Sequence, residues 1–106
     1  MRATLQTLEQ TILQRRKADP SASYVAKLAA KGRAKIAQKV GEEAVEAVIA
    51  AMADDRQELI GESADLIFHL MMLLADLDVP FDAVLNELDR REGVSGVAEK
   101  AARQKD

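Results

Sequence analysis

Hydrophobic residues along the chain recur with the period of an α-helix. Over about 33–53, apolar side chains are spaced three and four residues apart: Ile36, Val40, Ala44, Val45, Val48, Ile49 and Met52. The same pattern predicts helices over about 3–17, 24–31, 56–77 and 81–91. Because short polar connections join these segments, we expect an all-α fold, an antiparallel helical bundle.

Turn-forming residues separate the predicted helices. Candidate N-caps are Ser23 for the second helix, Asp54 or Asp55 for the fourth, and Asp78 or Val79 for the fifth. Gly32 is the expected stop of the second helix, and Pro80 is expected in the first turn of the fifth. Residues 1–92 are therefore predicted to form one helical domain. Residues 93–106 would be a C-terminal tail, whose low apolar content supports at most a partial helix.

Composition excludes several classes of function. The chain has no cysteine and a single histidine, His69, which rules out disulfides, thiolate sites and a zinc site with several histidines. A net charge of −3 with 3% aromatic residues does not suit a nucleic-acid reader. The chain also lacks a run of roughly 20 apolar residues and a signal-peptide core. We therefore expect a cytoplasmic protein with no membrane or nucleic-acid partner.

Charged residues are separated by sign along the middle of the chain. Between residues 20 and 41 every charged side chain is basic: Lys27, Lys31, Arg33, Lys35 and Lys39. Between residues 42 and 65 Arg56 is the only basic residue, against Glu42, Glu43, Glu46, Asp54, Asp55, Glu58, Glu62 and Asp65. A cationic block next to an anionic block suits a ligand that carries phosphates and a metal ion.

Two pairs of acids carry the strongest chemical signal. Glu43 and Glu46 lie three residues apart on the third helix, and Glu62 and Asp65 do so on the fourth, so each pair shares one helical face. On adjacent antiparallel helices the four carboxylates can converge. Two carboxylates 5 Å apart repel by about 3 kcal/mol at an effective dielectric near 20. A divalent cation reverses this repulsion, and oxygen ligands favour Mg²⁺ or Mn²⁺. The alternative is that both pairs are solvated helix faces.

Three neighbours of the acids each allow a functional and a structural interpretation. Gly41 indicates a kink or a close approach, or is simply tolerated within the helix. His69 could contact phosphate, support Asp65, or be a buried histidine with satisfied nitrogens. Tyr24 could stack on a base or pack against the bundle.

The lysines allow the same two interpretations. Lys39 is a candidate phosphate contact, or else pairs with a glutamate four residues on. Lys27, Lys31 and Lys35 are candidate phosphate contacts or a solvated face. Gly32 is expected to interrupt the line that the four lysines would form on one continuous helix.

Four segments resemble the phosphoribosyl-ATP pyrophosphohydrolases, a family of the all-α, MazG-like nucleoside-triphosphate pyrophosphohydrolase superfamily. They are YVAKL (24–28), IAQKVGEEAVE (36–46), ESADLIFHL (62–70) and GVSGVAEK (93–100). The resemblance implies hydrolysis of phosphoribosyl-ATP to phosphoribosyl-AMP and pyrophosphate, by attack of water at the α–β phosphoanhydride in the second step of histidine biosynthesis.

The resemblance also implies a role for individual residues. The implied Mg²⁺ ligands are Glu43, Glu46, Glu62 and Asp65, with Mn²⁺ as a substitute ion. Glu42 would orient or deprotonate the attacking water, so that Glu42, Glu43 and Glu46 form the catalytic group. The candidate substrate contacts are Lys39, Lys27, Tyr24 and His69.

The resemblance further implies a homodimer with active sites at the subunit junction, and the dimer would complete the bundle. Many family members carry this domain fused behind a cyclohydrolase domain for the next reaction, so a separate cyclohydrolase is a candidate partner. Two other functions remain open. One is a house-cleaning nucleoside-triphosphate pyrophosphohydrolase of the same fold, and the other is a non-catalytic helical dimer with solvated acids.

Overall fold

The computed structural model describes residues 2–92, with side chains from residue 3 onward, and all regular secondary structure in this range is helical. The helices are α1 (Arg2–Arg15), α2 (Tyr24–Lys31), α3 (Arg33–Met52), α4 (Arg56–Asp76) and α5 (Phe81–Arg91). The predicted all-α class is confirmed, and the predicted helix bounds agree within two residues. The predicted tail, 93–106, and the GVSGVAEK segment lie outside the described residues. No helix within the described range is long and apolar enough to cross a membrane.

Local capping explains where α2, α3 and α4 begin. The Oγ atom of Ser23 accepts a hydrogen bond from the backbone N–H of Ala26 at 3.3 Å, as the sequence predicts. Gly32 has φ +94°, a conformation that favours glycine, and it ends α2 immediately before α3 starts. Of the two candidate caps of α4, Asp55 is the one used, because its Oδ1 accepts from the backbone N–H of Glu58 at 3.1 Å.

The predicted cap of α5 is wrong. Neither Asp78 nor Val79 caps this helix; Pro80 itself occupies the N-cap position and makes no side-chain cap bond. The first helical residue, Phe81, instead donates its backbone N–H to Oε2 of Glu9 on α1 at 2.7 Å. A carboxylate from a distant helix therefore replaces the local cap and attaches α5 to α1.

The core lies where α1, α2, α3 and α4 meet. Its buried side chains are Ile12, Val25, Leu28, Ile36, Met71, Met72 and Ala75. The prediction that Met71 and Met72 belong to the core is confirmed, since each is 2% exposed. Gly41 lies within α3, and apart from its chain neighbours and the adjacent backbone of its own helix no described atom comes within 4 Å of the position of an added Cβ. The close approach that Gly41 was expected to allow is therefore wrong within this chain.

Two arginines connect the ends of other helices to the C-terminal end of α4. Arg16, just after α1, donates from Nη1 to the backbone carbonyl of Ala75 at 2.7 Å. Arg33, at the start of α3, donates from Nε to Oδ2 of Asp76 at 2.7 Å. Because positive charge is favourable at a helix C-terminus, these contacts stabilise α4 and set the positions of α1 and α3 relative to it.

Most of the apolar stripe on α3 does not enter this core. Four of its side chains, spaced i, i+3, i+4 and i+7, are largely exposed to solvent. The exposed fraction is 58% for Val45, 61% for Val48, 61% for Ile49 and 81% for Met52. We refer to these four residues as the α3 stripe. Periodicity correctly predicts that they share one face of the helix, but α4 packs against a different face of α3.

The buried position of Ile36 yields a stability prediction. Ile36→Ala should lower the free energy of unfolding by about 2–5 kcal/mol, because a side chain that is 1% exposed leaves a cavity in the core. Urea denaturation followed by circular dichroism measures the change. Leu88→Ala is the control, since Leu88 is 56% exposed and its truncation should cost far less. Equal losses in the two variants would contradict this assignment of the core.

Candidate functional site

Three carboxyl groups from the two central helices converge. Glu43 on α3 and Glu62 and Asp65 on α4 each place a carboxylate oxygen within 4.8 Å of the other two. We call these three residues the carboxylate cluster. The arrangement follows from the sequence because the turn at residues 53–55 folds α4 back along α3. Three of the four predicted metal ligands therefore lie together.

The fourth predicted ligand, Glu46, lies at the edge of the cluster. Contacts with Glu43 and, to a smaller extent, with Glu46 raise the pKa of the Glu62 carboxyl group to about 8. Partial burial and Glu58 act in the same direction. Neighbouring carboxylates disfavour the ionised form, which accounts for the direction of this shift. Glu58 was not among the predicted site residues, although its position four residues before Glu62 places it on the same face of α4.

Burial makes the carboxylate cluster costly in the absence of a cation. Glu43 is only 7% exposed, an unusual position for an acid. The Oε2 atoms of Glu43 and Glu62 are buried and have no hydrogen-bond partner among the described residues. Unpartnered carboxyl oxygens are destabilising in a protein interior, most of all when they are ionised. A hard divalent cation, which prefers several carboxylate oxygens, fits this set of donors.

A cavity of about 280 Å³ lies beside the cluster, between α2 and α3. Its lining residues are Tyr24, Lys27, Leu28, Lys31, Lys35, Lys39 and Glu42. We call it the lysine cavity. As expected, Gly32 prevents the four lysines from lying in line on one continuous helix. The glycine interrupts the helix, but α2 then packs against α3, so lysines from both helices line one space.

Lys39 joins the lysine cavity to the carboxylate cluster. Its Nζ lies 3.3 Å from Oε1 of Glu42 and 3.7 Å from Oε1 of Glu43. The hydrogen bond to Glu42 raises the pKa of the Lys39 ammonium group. The ion pair with Glu43 that the sequence offered as an alternative is thus present. A contact between Lys39 and phosphate stays a prediction.

Glu42 faces the lysines and lies outside the carboxylate cluster. Gln38 donates to its Oε2 at 2.9 Å. This hydrogen bond, followed by the one from Lys39, lowers the pKa of the Glu42 carboxyl group. A carboxylate stabilised in this way keeps its charge but is a weak proton acceptor. A role of Glu42 toward an attacking water stays a prediction.

His69 connects the two parts of the site from the interior. Its Nδ1 lies 2.7 Å from the backbone carbonyl of Asp65, which can only accept, so Nδ1 carries the proton. Nε2 then accepts from the hydroxyl of Tyr24 at 2.9 Å. Only 5% of His69 is exposed and both nitrogens are satisfied, as in the buried alternative. The Tyr24 ring is 52% exposed and lines the lysine cavity. Substrate contacts by either residue stay predictions.

Comparisons with known proteins identify the family of this chain. The sequence profile of the phosphoribosyl-ATP pyrophosphohydrolases matches residues 5–92. A phosphoribosyl-ATP pyrophosphatase of Rhizorhabdus wittichii is 70% identical over 105 residues, covering 99% of each chain. One from Novosphingobium aromaticivorans is 72% identical over 99 residues, covering 93% of this chain and 92% of the relative. One from Zymomonas mobilis is 62% identical, with coverage of 96% and 95%. The chain belongs to the phosphoribosyl-ATP pyrophosphohydrolase family.

Proposed function

We propose that the chain hydrolyses phosphoribosyl-ATP to phosphoribosyl-AMP and pyrophosphate, the second step of histidine biosynthesis. Family membership over residues 5–92 and the names of the relatives support the overall reaction. The observation that carries the chemistry is the carboxylate cluster beside the lysine cavity. Together they offer ligands for a cation and positive charges for phosphates within one site.

The ligands of the cation would be Glu43, Glu62 and Asp65, with Glu46 beside them. The two unpartnered buried oxygens of Glu43 and Glu62 support this assignment. When bound, Mg²⁺ supplies charge neutralisation at the phosphate oxygens and lowers the pKa of a coordinated water. Mn²⁺, which also accepts oxygen ligands, is the alternative ion.

The protein side chains would position the substrate around the α–β phosphoanhydride. Lys39 donates toward the phosphates from the boundary between the lysine cavity and the carboxylate cluster, and Lys27 and Tyr24, which also line the cavity, bind the substrate. Glu42 orients the attacking water, because its lowered pKa keeps it a charged hydrogen-bond acceptor. His69 supports this arrangement through its bonds to Tyr24 and the Asp65 carbonyl. Catalysis would rest on positioning and charge stabilisation.

Removing one carboxylate of the cluster tests this mechanism. Glu43→Gln should lower kcat for phosphoribosyl-ATP by about 100-fold or more, because it removes a charge that holds the cation. Glu46→Gln should lower kcat as well. Asp54→Asn is the matched control: it removes the same charge at an exposed position with φ +55°, which asparagine also tolerates. Release of pyrophosphate measures turnover.

The same assay, run with deoxynucleoside triphosphates, distinguishes the alternative functions. A clear preference for these substrates over phosphoribosyl-ATP would favour the house-cleaning enzyme. Full activity of Glu43→Gln would contradict the proposed mechanism. The burial of Glu43 argues against the third alternative, in which the acids form a solvated face.

The raised pKa of Glu62 predicts how pH and Mg²⁺ affect stability. An ordinary carboxyl group titrates near 4.5 and Glu62 titrates near 8 in the folded, metal-free chain. The folded state therefore retains a proton that the unfolded state loses, and the metal-free protein should become less stable as pH rises from 4.5 to 8. At pH 8.5, millimolar Mg²⁺ should raise the Tm, because the ion binds only the assembled cluster.

Glu62→Gln is the variant that tests this linkage. It should raise the Tm of the metal-free protein at pH 8.5, because it removes one repelling charge, and it should reduce the response to Mg²⁺. Differential scanning fluorimetry with and without EDTA measures both effects, and Asp54→Asn again serves as control. If wild type shows no Mg²⁺-dependent rise in Tm at pH 8.5, the carboxylate cluster is not a cation site.

The homodimer that the family resemblance implies is part of the proposal. The α3 stripe supports it, because four exposed apolar side chains on one helix face would gain stability by burial against a second copy. The stripe lies on the same helix as Glu43 and Glu46, so subunit contact at this face would place active sites at the junction.

A charge introduced into the α3 stripe tests the dimer. Ile49→Lys should convert the protein to a monomer in size-exclusion chromatography with light scattering, because burying the lysine at the interface is costly. Leu88→Lys, at an exposed leucine on α5, should keep the mass of the wild type. A monomeric wild type, or an Ile49→Lys variant of unchanged mass, would contradict the proposed interface.

A further inference from the structure

We infer that Lys31 and Lys35 bind the phosphate of the substrate's phosphoribosyl group, and that these two lysines allow the site to select phosphoribosyl-ATP over ATP. The inference rests on the proposed function and extends it to residues whose role the sequence left open. The two substrates share a triphosphate, a ribose and an adenine base. They differ by one added ribose phosphate, so selectivity requires contacts with that group.

The position of Gly32 gives the lysine cavity two different ends. Lys31 immediately precedes this glycine and Lys35 follows it by three residues, so both lie where α2 turns into α3. Tyr24 is the first residue of α2 and Lys39 follows Gly32 by seven residues on α3, so both lie away from this turn. Tyr24 is also bonded to His69 beside the carboxylate cluster. The cavity thus runs from the cluster to the Gly32 turn.

The distance along α3 separates the Gly32 end from the reaction site. Lys35 precedes Glu43 by eight residues, which corresponds to about 12 Å along the axis of a helix. The phosphates of a triphosphate are joined through single bridging oxygens, so the groups on either side of the α–β bond stay near the carboxylate cluster and Lys39. A phosphate at the Gly32 end would belong to a remote part of the substrate.

The charge balance also distinguishes the two ends. Lys39 is paired with Glu42 and Glu43 at 3.3 and 3.7 Å. Lys31 and Lys35 have no ion pair with any carboxylate among the described residues. Glu42 acts on Lys35 only at a distance, since the charge of Lys35 is the smallest of the causes that lower the pKa of Glu42. The Gly32 end therefore carries a surplus of positive charge, which suits a dianionic phosphate monoester.

A comparison of two nucleotides isolates this contact. Phosphoribosyl-AMP and AMP differ only by the phosphoribosyl group, and neither carries the triphosphate. Isothermal titration calorimetry gives the Kd of each for wild type and for the double variant Lys31→Met, Lys35→Met, in which methionine keeps much of the length of the apolar stem. We expect the double variant to weaken binding of phosphoribosyl-AMP by about tenfold or more and to leave the Kd of AMP unchanged.

The control removes the same number of charges elsewhere. The control is the double variant Arg15→Met, Lys17→Met, whose two positions are exposed at the C-terminal end of α1. It should leave both Kd values unchanged. Thermal denaturation checks that both double variants remain folded; if the Lys31, Lys35 pair is unfolded, the single variants replace it. Equal weakening of both nucleotides, or no weakening of either, would overturn the inference, the second outcome indicating a merely solvated face.

Turnover separates this inference from the proposed function. If wild type binds phosphoribosyl-AMP through Lys31 and Lys35 but does not hydrolyse phosphoribosyl-ATP, the binding site stands and the proposed reaction fails. If wild type hydrolyses phosphoribosyl-ATP and the double variant has the same KM as wild type, the reaction stands and the phosphate site fails.

Discussion

Repulsion among carboxylates in a partly buried space is the interaction on which the site depends. Glu43 is nearly excluded from solvent, and the pKa of the neighbouring Glu62 carboxyl group is raised to about 8. Such an arrangement lowers stability unless a cation compensates it. The hydrophobic core and the arginine contacts at the C-terminal end of α4 hold the two central helices together against this repulsion. The fold thus maintains a site whose unfavourable charge favours the binding of a metal ion.

Two regions of opposite charge meet at a single lysine. Lys39 contacts acids on one side and lines a cationic cavity on the other. A polyphosphate with a bound cation has complementary requirements, since its oxygens need both metal and ammonium partners. The turn at Gly32 produces the lysine cavity, because it folds α2 back along α3 and brings lysines from two helices to one space.

Much of this arrangement could be predicted from the sequence because it depends on local geometry. Helical periodicity gave the five helices, and three-residue spacing placed Glu43, Glu62 and Asp65 in register across a short turn. What failed depends on tertiary contacts. Periodicity marks an apolar face but cannot tell whether it packs within the chain, so the exposure of Ile49 was not foreseen. The grouping of lysines across Gly32 depended equally on how α2 packs.

The cap of α5 has a consequence for how the chain assembles. The backbone N–H of Phe81 donates its hydrogen bond to the carboxylate of Glu9, 72 residues earlier in the chain. The first N–H of α5 is therefore satisfied only after α1 has docked, and this last described helix loses a stabilising contact when the first is absent. Any event that detaches α1 would also loosen α5, so the two helices should fray together as one cooperative unit at the periphery of the bundle.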